Sequence, residues 1–466
     1  PEKTKNGKVI FANDPHIAFS QPSVWYQSHI KTPNYEMYGF NLALTPFPLL
    51  GHNRNYAYGL TMFENDDVDF YYEKNNPNNL MEYQTSTGFE KYKLVDKTIK
   101  VKGGVDTTYQ IKVSKHGPVM NGLIDFIDDE RPIAMQWIYT KLENKLLSLS
   151  YQMSHSKSLS EFKNATSKLH APGLNIMYGD AKNNIAWFAA GKLYKYRDSL
   201  NTKLILDGAS GKDEIIEWID FEENPQAINP DWNYVYSANN QPDSIAGILY
   251  PGYYLAEDRG RRIVDLLEPK NDWTKDEVAE MIYDVTTPIA PEIISSLTKG
   301  LSTSNLSVSE KKALHVLKKW NGFYGKKEVG PVIYNRFVYE FQKNTFKDEM
   351  QDGYKQFANT PFIEKVLPVQ AKREKSVWWD DVTTKDKTET REDIIFKSFK
   401  NAFAFLQNLA REICKDIKDV NGSRMKFDVG VSGTADIYMG ETGLKCQGNV
   451  SVVMPGDTAS ITLILG

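Results

Sequence analysis

Three carboxylates stand within four residues at Asp66, Asp67 and Asp69, inside the stretch Pro46 to Glu73, PFPLLGHNRNYAYGLTMFENDDVDFYYE. Held in a tight turn, such a group attracts a hard cation or a set of backbone N–H donors. Taken with Asp380 and Asp381, it would also supply the paired carboxylates of a glycosidase. His116, in His116-Gly117-Pro118-Val119, has the residue type of a general base, although a histidine at such a turn is more often structural. No convincing G-x-S-x-G elbow accompanies them, because Ser210-Gly211 and Ser432-Gly433 read as turns.

These residues need a scaffold, and the local patterns supply one. Tyr56 to Met62 and Val68 to Tyr72 read as strands on either side of the acid turn. Gly51 and Gly59 are places where another group can approach the backbone closely. Residues 8 to 12 read as a short buried strand ended by Asn13-Asp14-Pro15. Val24 to Ile30 and Tyr38 to Leu44 follow as strands. Thr98 to Lys102 and Tyr109 to Val113 form a hairpin signal with Gly103-Gly104 between them. Ser158-Leu159-Ser160-Glu161 is a capping-box pattern opening a helix that Pro172-Gly173 breaks. Asn175 to Tyr178 and Asn184 to Ala190 read as strands, and Val235 to Gln241 as a strand running into a polar turn. From residue 258 to residue 410 the apolar spacing is mostly helical, with Ile263, Leu266 and Leu267, then Val278 and Ile282, then Leu314, Leu317 and Trp320. Residues 380 to 391 interrupt it.

Bulk properties narrow the function classes. The 466 residues carry 56 Lys plus Arg against 60 acids, a formal charge of −4, so there is no basic excess to neutralise a phosphate backbone. Aromatic residues make up 12 % of the chain, including 26 Tyr and 9 Trp, which suits a large β-rich core or an aromatic-lined pocket. Cys414 and Cys446 are too few for a disulfide framework or a cysteine metal site, and they leave the redox compartment open. No run approaches a membrane span, and no charged-then-apolar signal segment opens the chain.

In their order and spacing, Phe11-Ala12-Asn13-Asp14-Pro15-His16, Gly51-His52-Asn53, Tyr58-Gly59-Leu60-Thr61 and Asp66-Asp67-Val68-Asp69 resemble the β-chain of the penicillin acylase family of N-terminal-nucleophile amidohydrolases. Asn175 to Ile185 is similar to that family's N-x-x-Y-x-D-x-x-G-N-I segment, with Asn183 where glycine is usual. Trp378-Trp379-Asp380-Asp381, Thr388-Glu389-Thr390 and the helix from Ile394 to Leu409 add to the likeness, which thins to abbreviated echoes past Ala410.

The resemblance implies an α+β fold, the four-layer αββα sandwich of these hydrolases with a mainly helical insertion. Its expected divisions are 1–258 for the first part of the core, 259–410 for the helical region and 411–466 for shortened strands returning to the core. It implies hydrolysis of an N-acyl amide through a serine acyl-enzyme. The serine is expected just upstream of Pro1, with its own α-amine, of ordinary pKa about 7.7–8.0, as base. Met62, through its backbone N–H, and Asn239, through its side-chain amide, fall at the oxyanion positions. Arg259 matches an arginine that orients the asparagine and the base, and His16 a position contacting the terminal serine. Ile17, Leu50, Glu64 and Leu174 fall along the acyl pocket, Glu64 where an apolar side chain is expected. Asp66, Val68 (by its carbonyl) and Asp69 match ligands of a structural Ca²⁺. An α-chain from the same precursor is the expected partner, and the periplasm or the exterior the expected location. Two further readings stay open: an acylhomoserine lactone acylase of the same family, and an inactive binding or structural module on this scaffold.

Overall fold

A computed structural model describes residues 1–466 except 16, 18, 19, 125, 126, 128, 300, 418–424, 429–433, 439–446, 455–456 and 465–466, and the side chains from residue 411 onward. The chain divides into two compact units, residues 1–255 with 267–275, and residues 256–266 with 276–466.

The first unit is built on a seven-stranded sheet. Its strands are Trp25–Thr32 (β1), Tyr35–Leu42 (β2), Leu50–His52 (β3), Tyr56–Met62 (β4), Leu174–Asp180, Ile185–Ala190 and Gln226–Ile228, in that spatial order and antiparallel throughout. Side chains alternate between its faces, as the pleat requires. Ile176 and Tyr178 join Met37, Tyr56 and Tyr58 in a core closed by Leu149, Met153, Phe162 and Ala165 of the Leu146–His155 and Leu159–Thr166 helices. Met177, between them, faces the other way and packs with Phe63, Trp187, Tyr250 and Tyr254. The Ile185–Ala190 strand is buried at every position, which explains its unbroken apolar run.

Several local expectations hold, with physical detail added. Ser158 caps its helix by accepting from Glu161 N at 3.2 Å, while Glu161 Oε2 accepts from Lys157 N at 2.9 Å instead of from the cap residue itself. Asn183 takes a left-handed φ of 70°, the conformation for which glycine is the usual choice. The strand Val68–Tyr72 (β5) follows the acid turn and pairs with Ile133–Trp137 and Leu206–Asp207 in a separate three-stranded sheet.

Two strand expectations fail. Residues 8 to 12 join no ladder; they cross the face of the sheet, where Phe11 packs on the Met177–Trp187 side. Val235 to Gln241 is likewise unpaired, since Asn239 adopts φ 60° and bends the chain away from any strand path. Half-buried extended chain and a true strand share one apolar signature, so alternation alone does not separate them.

The second unit has its own core of Ile293, Leu297, Leu314, Leu317, Phe337, Phe341, Trp379, Ile394 and Phe399. Its longest helices are Gly330–Met350 and Arg391–Ile417. Arg391 is buried at the start of the latter, where Nη2 donates to Ser296 O at 2.7 Å and Ala371 O at 2.6 Å, joining three helices at one guanidinium. Met425–Asp428, Thr434–Tyr438, Gln447–Met454 and Asp457–Ile464 form an antiparallel sheet in sequence order. The side chains of Cys414 and Cys446 lie outside the described residues. Among the described residues no helix is long and apolar enough to cross a membrane.

Candidate active site

The end of β4 is where the geometry converges. β4 gives its odd-numbered residues to the neighbouring strand: Phe63 N donates to Gly173 O at 3.1 Å, and Ala181 N to Asn55 O at 2.7 Å, in register with Thr61 opposite Asn175. In an antiparallel ladder the intervening residues turn their N–H and C=O toward the opposite edge. Those residues are Tyr56, Tyr58, Leu60 and Met62. Only the first two are covered by backbone on that side: Asn53 N donates to Tyr56 O at 3.0 Å, and the β3 pairing stops with Gly51 opposite Tyr58.

Beyond that point side-chain amides replace the missing strand. Leu60 N donates to Asn13 Oδ1 at 3.2 Å, and Asn13 Nδ2 donates to Leu60 O at 3.3 Å. Gly59 makes the room, since a Cβ there would stand 2.3 Å from Asn13 Oδ1. One packing demand therefore ties the Asn13-Asp14-Pro15 turn to the Tyr58-Gly59-Leu60-Thr61 step. At the next open position, Met62 O accepts from Asn239 Nδ2 at 3.0 Å and from Asn175 Nδ2 at 2.9 Å. Leu255 N donates to Asn239 O at 2.8 Å, and Asn240 Oδ1 accepts from Ala238 N at 3.2 Å, which holds the bend around Asn239.

Met62 and Asn239, widely separated in sequence, thus meet at one strand end. Leu174 is half-buried directly opposite Met62. Leu50 is buried on β3 and lines a cavity of about 910 Å³ with Phe11, Asn13, Trp25, Tyr38 and Phe40. Ile17 is exposed. Glu64 takes φ 60°, and its carbonyl accepts from Tyr253 N at 2.7 Å. Its carboxylate stands near enough to Asp67 to contribute to that residue's raised pKa. Arg259 belongs to the first turn of the Asp258–Leu267 helix, in the second unit, where Asp258 accepts from Thr287 Oγ1 at 2.8 Å. His16 lies outside the described residues.

The acid turn is buried, and burial dominates its electrostatics. It pushes Asp66 up to about 7 and Asp67 to about 6, and it raises Asp69. Asp66 Oδ2 accepts from Thr202 Oγ1 at 2.5 Å, and Asp69 Oδ2 from Tyr194 and Tyr196 at 2.8 and 2.6 Å. The other oxygen of each, Oδ1, is buried with no hydrogen-bond partner. The glycosidase reading finds no support in the second pair, because Asp381 is tied to Lys397 at 2.8 Å and held below the usual carboxylate range.

His116 is structural. Nδ1 meets Glu73 Oε1 at 2.7 Å, Nε2 meets Glu214 Oε1 at 3.1 Å, and the ring stacks on Tyr71 with centroids 3.9 Å apart. With a carboxylate at each nitrogen, the imidazolium is the form that satisfies both. Burial alone would lower its pKa, but the bonds to Glu214 and Glu73 outweigh it and hold the group above its ordinary value.

Sequence reasoning missed Asn175, Thr61, Ser237 and Trp187 as parts of the site. Asn175 carried a usable signal, an amide inside the apolar run Leu174 to Met177, because a buried polar group must find partners.

A histidine whose folded pKa is raised stabilises fully below its unfolded value, about 6.5, and loses that contribution as pH rises through the folded value. The stability gap between the protein and its His116→Gln variant should therefore be widest near pH 6 and shrink toward alkaline pH. Denaturation midpoints measured across that range check this; a gap independent of pH would contradict the imidazolium assignment.

Comparisons with known proteins converge on one family. The sequence model described as Penicillin amidase matches residues 1–456. The acyl-homoserine lactone acylase QuiP of Pseudomonas aeruginosa is 24 % identical, over 87 % of this chain and 51 % of that protein. The penicillin acylase 2 proenzyme of Pseudomonas sp. strain SE83 is 25 % identical, over 81 % and 48 %. The chain thus spans about half the length of the curated relatives it matches. A thermostable penicillin G acylase from Alcaligenes faecalis superposes with a TM-score of 0.71 at 18 % identity, over 97 % of this chain and 89 % of that one. That likeness gives the fold, the mixed α+β architecture of N-terminal-nucleophile hydrolases, and with the match along almost its whole length the chain belongs to the penicillin amidase family.

Proposed function

We propose that the chain forms part of an amidohydrolase that moves an acyl group from an N-acyl amide to a serine and then to water. The observation carrying this reading is the 3.0 Å bond from Asn239 Nδ2 to Met62 O. An amide nitrogen has two hydrogens. That bond fixes the carboxamide against β4, and in this reading the carboxamide and the N–H of Met62 are the donor pair that an oxyanion at this edge would meet.

In this reading the serine belongs to a segment preceding Pro1 and its own α-amine is the base. The hydroxyl oxygen attacks the amide carbon while the amine takes its proton. The tetrahedral oxyanion rests on the two donors, and collapse returns the proton to the departing nitrogen. Water then repeats the sequence on the acyl ester. Both relatives described above, an acyl-homoserine lactone acylase and a penicillin acylase, are named as acylases. Because the Glu64 charge acts on Asp67, we assign it to the acid turn. Leu50, Leu174 and Ile17 remain for an apolar acyl group.

The test is a panel of N-acyl amides, arylacetyl and long-chain, offered to the complete protein and to Asn239→Ala. The variant should lose about 10²–10³-fold in kcat/KM with its unfolding midpoint preserved, the effect of removing one oxyanion donor. Near-normal turnover would reject the assignment, and no turnover by the parent protein would favour the binding-module reading.

The acid turn is our candidate for Ca²⁺. The unpartnered Oδ1 atoms of Asp66 and Asp69 fit such a cation, and the Val68 carbonyl is the proposed third oxygen. Among the described residues no cluster of three or more His, Cys, Asp or Glu side chains could hold a metal, so the remaining oxygens would come from carbonyls, water or an α-chain. The cation would cancel the buried negative charge that otherwise drives these acids toward protonation. Millimolar Ca²⁺ should raise the unfolding temperature relative to chelator, and Asp69→Asn should abolish the rise; equal temperatures in the unmodified protein would contradict the site.

A further inference from the structure

We propose that Asn175 is a positioning residue for both oxyanion donors, an inference that rests on the amidohydrolase reading above. Asn175 is 2 % exposed, and its carboxamide makes three bonds. Nδ2 donates to Met62 O at 2.9 Å and to Thr61 Oγ1 at 3.2 Å, and Oδ1 accepts from Trp187 Nε1 at 3.0 Å.

The direction of these bonds is fixed at both ends, since the Met62 carbonyl only accepts and the Trp187 indole only donates. An indole N–H only donates, so the atom of Asn175 facing Trp187 must be the oxygen. That forces the amide nitrogen toward β4, where Met62 O and Thr61 Oγ1 accept from it. The Thr61 hydroxyl pairs with Ser237 Oγ at 2.7 Å, and either hydroxyl can be the donor. Ser237 Oγ also accepts from Asn239 N at 3.4 Å. Asn239 Nδ2 then returns to Met62 O at 3.0 Å and closes the ring.

Asn175, Thr61, Ser237, Asn239 and Met62 therefore form a closed circuit spanning two strands and the 237–239 bend. Asn175 is the member that touches both neighbours on β4 and takes its orientation from outside the circuit. It holds one donor through the carbonyl of the same residue, Met62, and the other through Thr61 and Ser237. Removing it leaves Met62 O to Asn239 alone and frees the Thr61 hydroxyl to rotate.

The test uses the complete protein and three variants. Trp187→Phe keeps an aromatic side chain, smaller than the buried indole, and removes the N–H from which Asn175 Oδ1 accepts. Asn175→Leu removes the carboxamide. Asn175→Asp keeps the acceptor for Trp187 but restores a donor toward Met62 O only when protonated, which burial favours. Turnover of a chromogenic N-acyl amide and hydrogen exchange in residues 56–62 and 235–241 are measured together.

Trp187→Phe and Asn175→Leu should lower kcat about 10–100-fold, short of the full loss of a donor, with KM within about twofold. Exchange should quicken in both segments. The ratio of Asn175→Asp to parental activity should climb as pH falls, which a purely structural role would not produce. Unchanged kcat in Trp187→Phe with unaltered exchange, in a parent protein that turns over the amide, would overturn this inference and leave the function intact. Absence of parental turnover would instead overturn the function and this role with it.

Discussion

The edge of β4 past the end of β3 is the constraint from which the rest follows. A strand edge buried in a protein must find partners for its N–H and C=O groups, since each unpaired one costs about 1–3 kcal/mol. β3 stops opposite Tyr58, and both groups of Leu60 and the carbonyl of Met62 are satisfied by carboxamides instead of by backbone. A carboxamide copies the donor and acceptor of a peptide group while bringing no continuing chain behind it. The edge can therefore be both satisfied and accessible, which a paired strand cannot be. Gly59, Asn13, Asn175 and the left-handed Asn239 are all consequences of that solution.

This explains why some of the molecule was legible from its residues. β4 and β5 were read with their ends, because apolar alternation stops at polar turns on both sides. The glycine of the Tyr58-Gly59-Leu60-Thr61 step pointed correctly to a close approach, although what approaches, Asn13, needed the fold. The helical stretch of the second unit was equally open through its apolar spacing, and Leu314 and Leu317 are buried on the Val308–Lys319 helix.

What was hidden has physical reasons. Residues 8 to 12 and 235 to 241 carry a strand's composition but serve as cover on a sheet face, and only pairing distinguishes the two. The circuit through Asn175, Thr61 and Ser237 joins residues that no local spacing relates. His116 offered the residue type of a base, yet the carboxylates that occupy both its nitrogens, Glu73 and Glu214, lie far along the chain in opposite directions. Catalytic potential is a property of what surrounds a side chain, and that is decided by the tertiary fold.

The acid turn follows the β4 edge by a few residues on the same chain path. Asp66 and Asp69 anchor the start of β5 through Thr202, Tyr194 and Tyr196, so the strand bearing Met62 runs straight into a buried and electrostatically demanding bend. The most direct measurement on this arrangement is a crystal structure of the complete protein trapped as a tetrahedral adduct with an acyl boronate. The adduct oxygen should lie about 2.7–3.1 Å from both Met62 N and Asn239 Nδ2. An adduct oxygen directed at other groups, with Met62 N bonded elsewhere in the protein, would contradict the role given to the β4 edge.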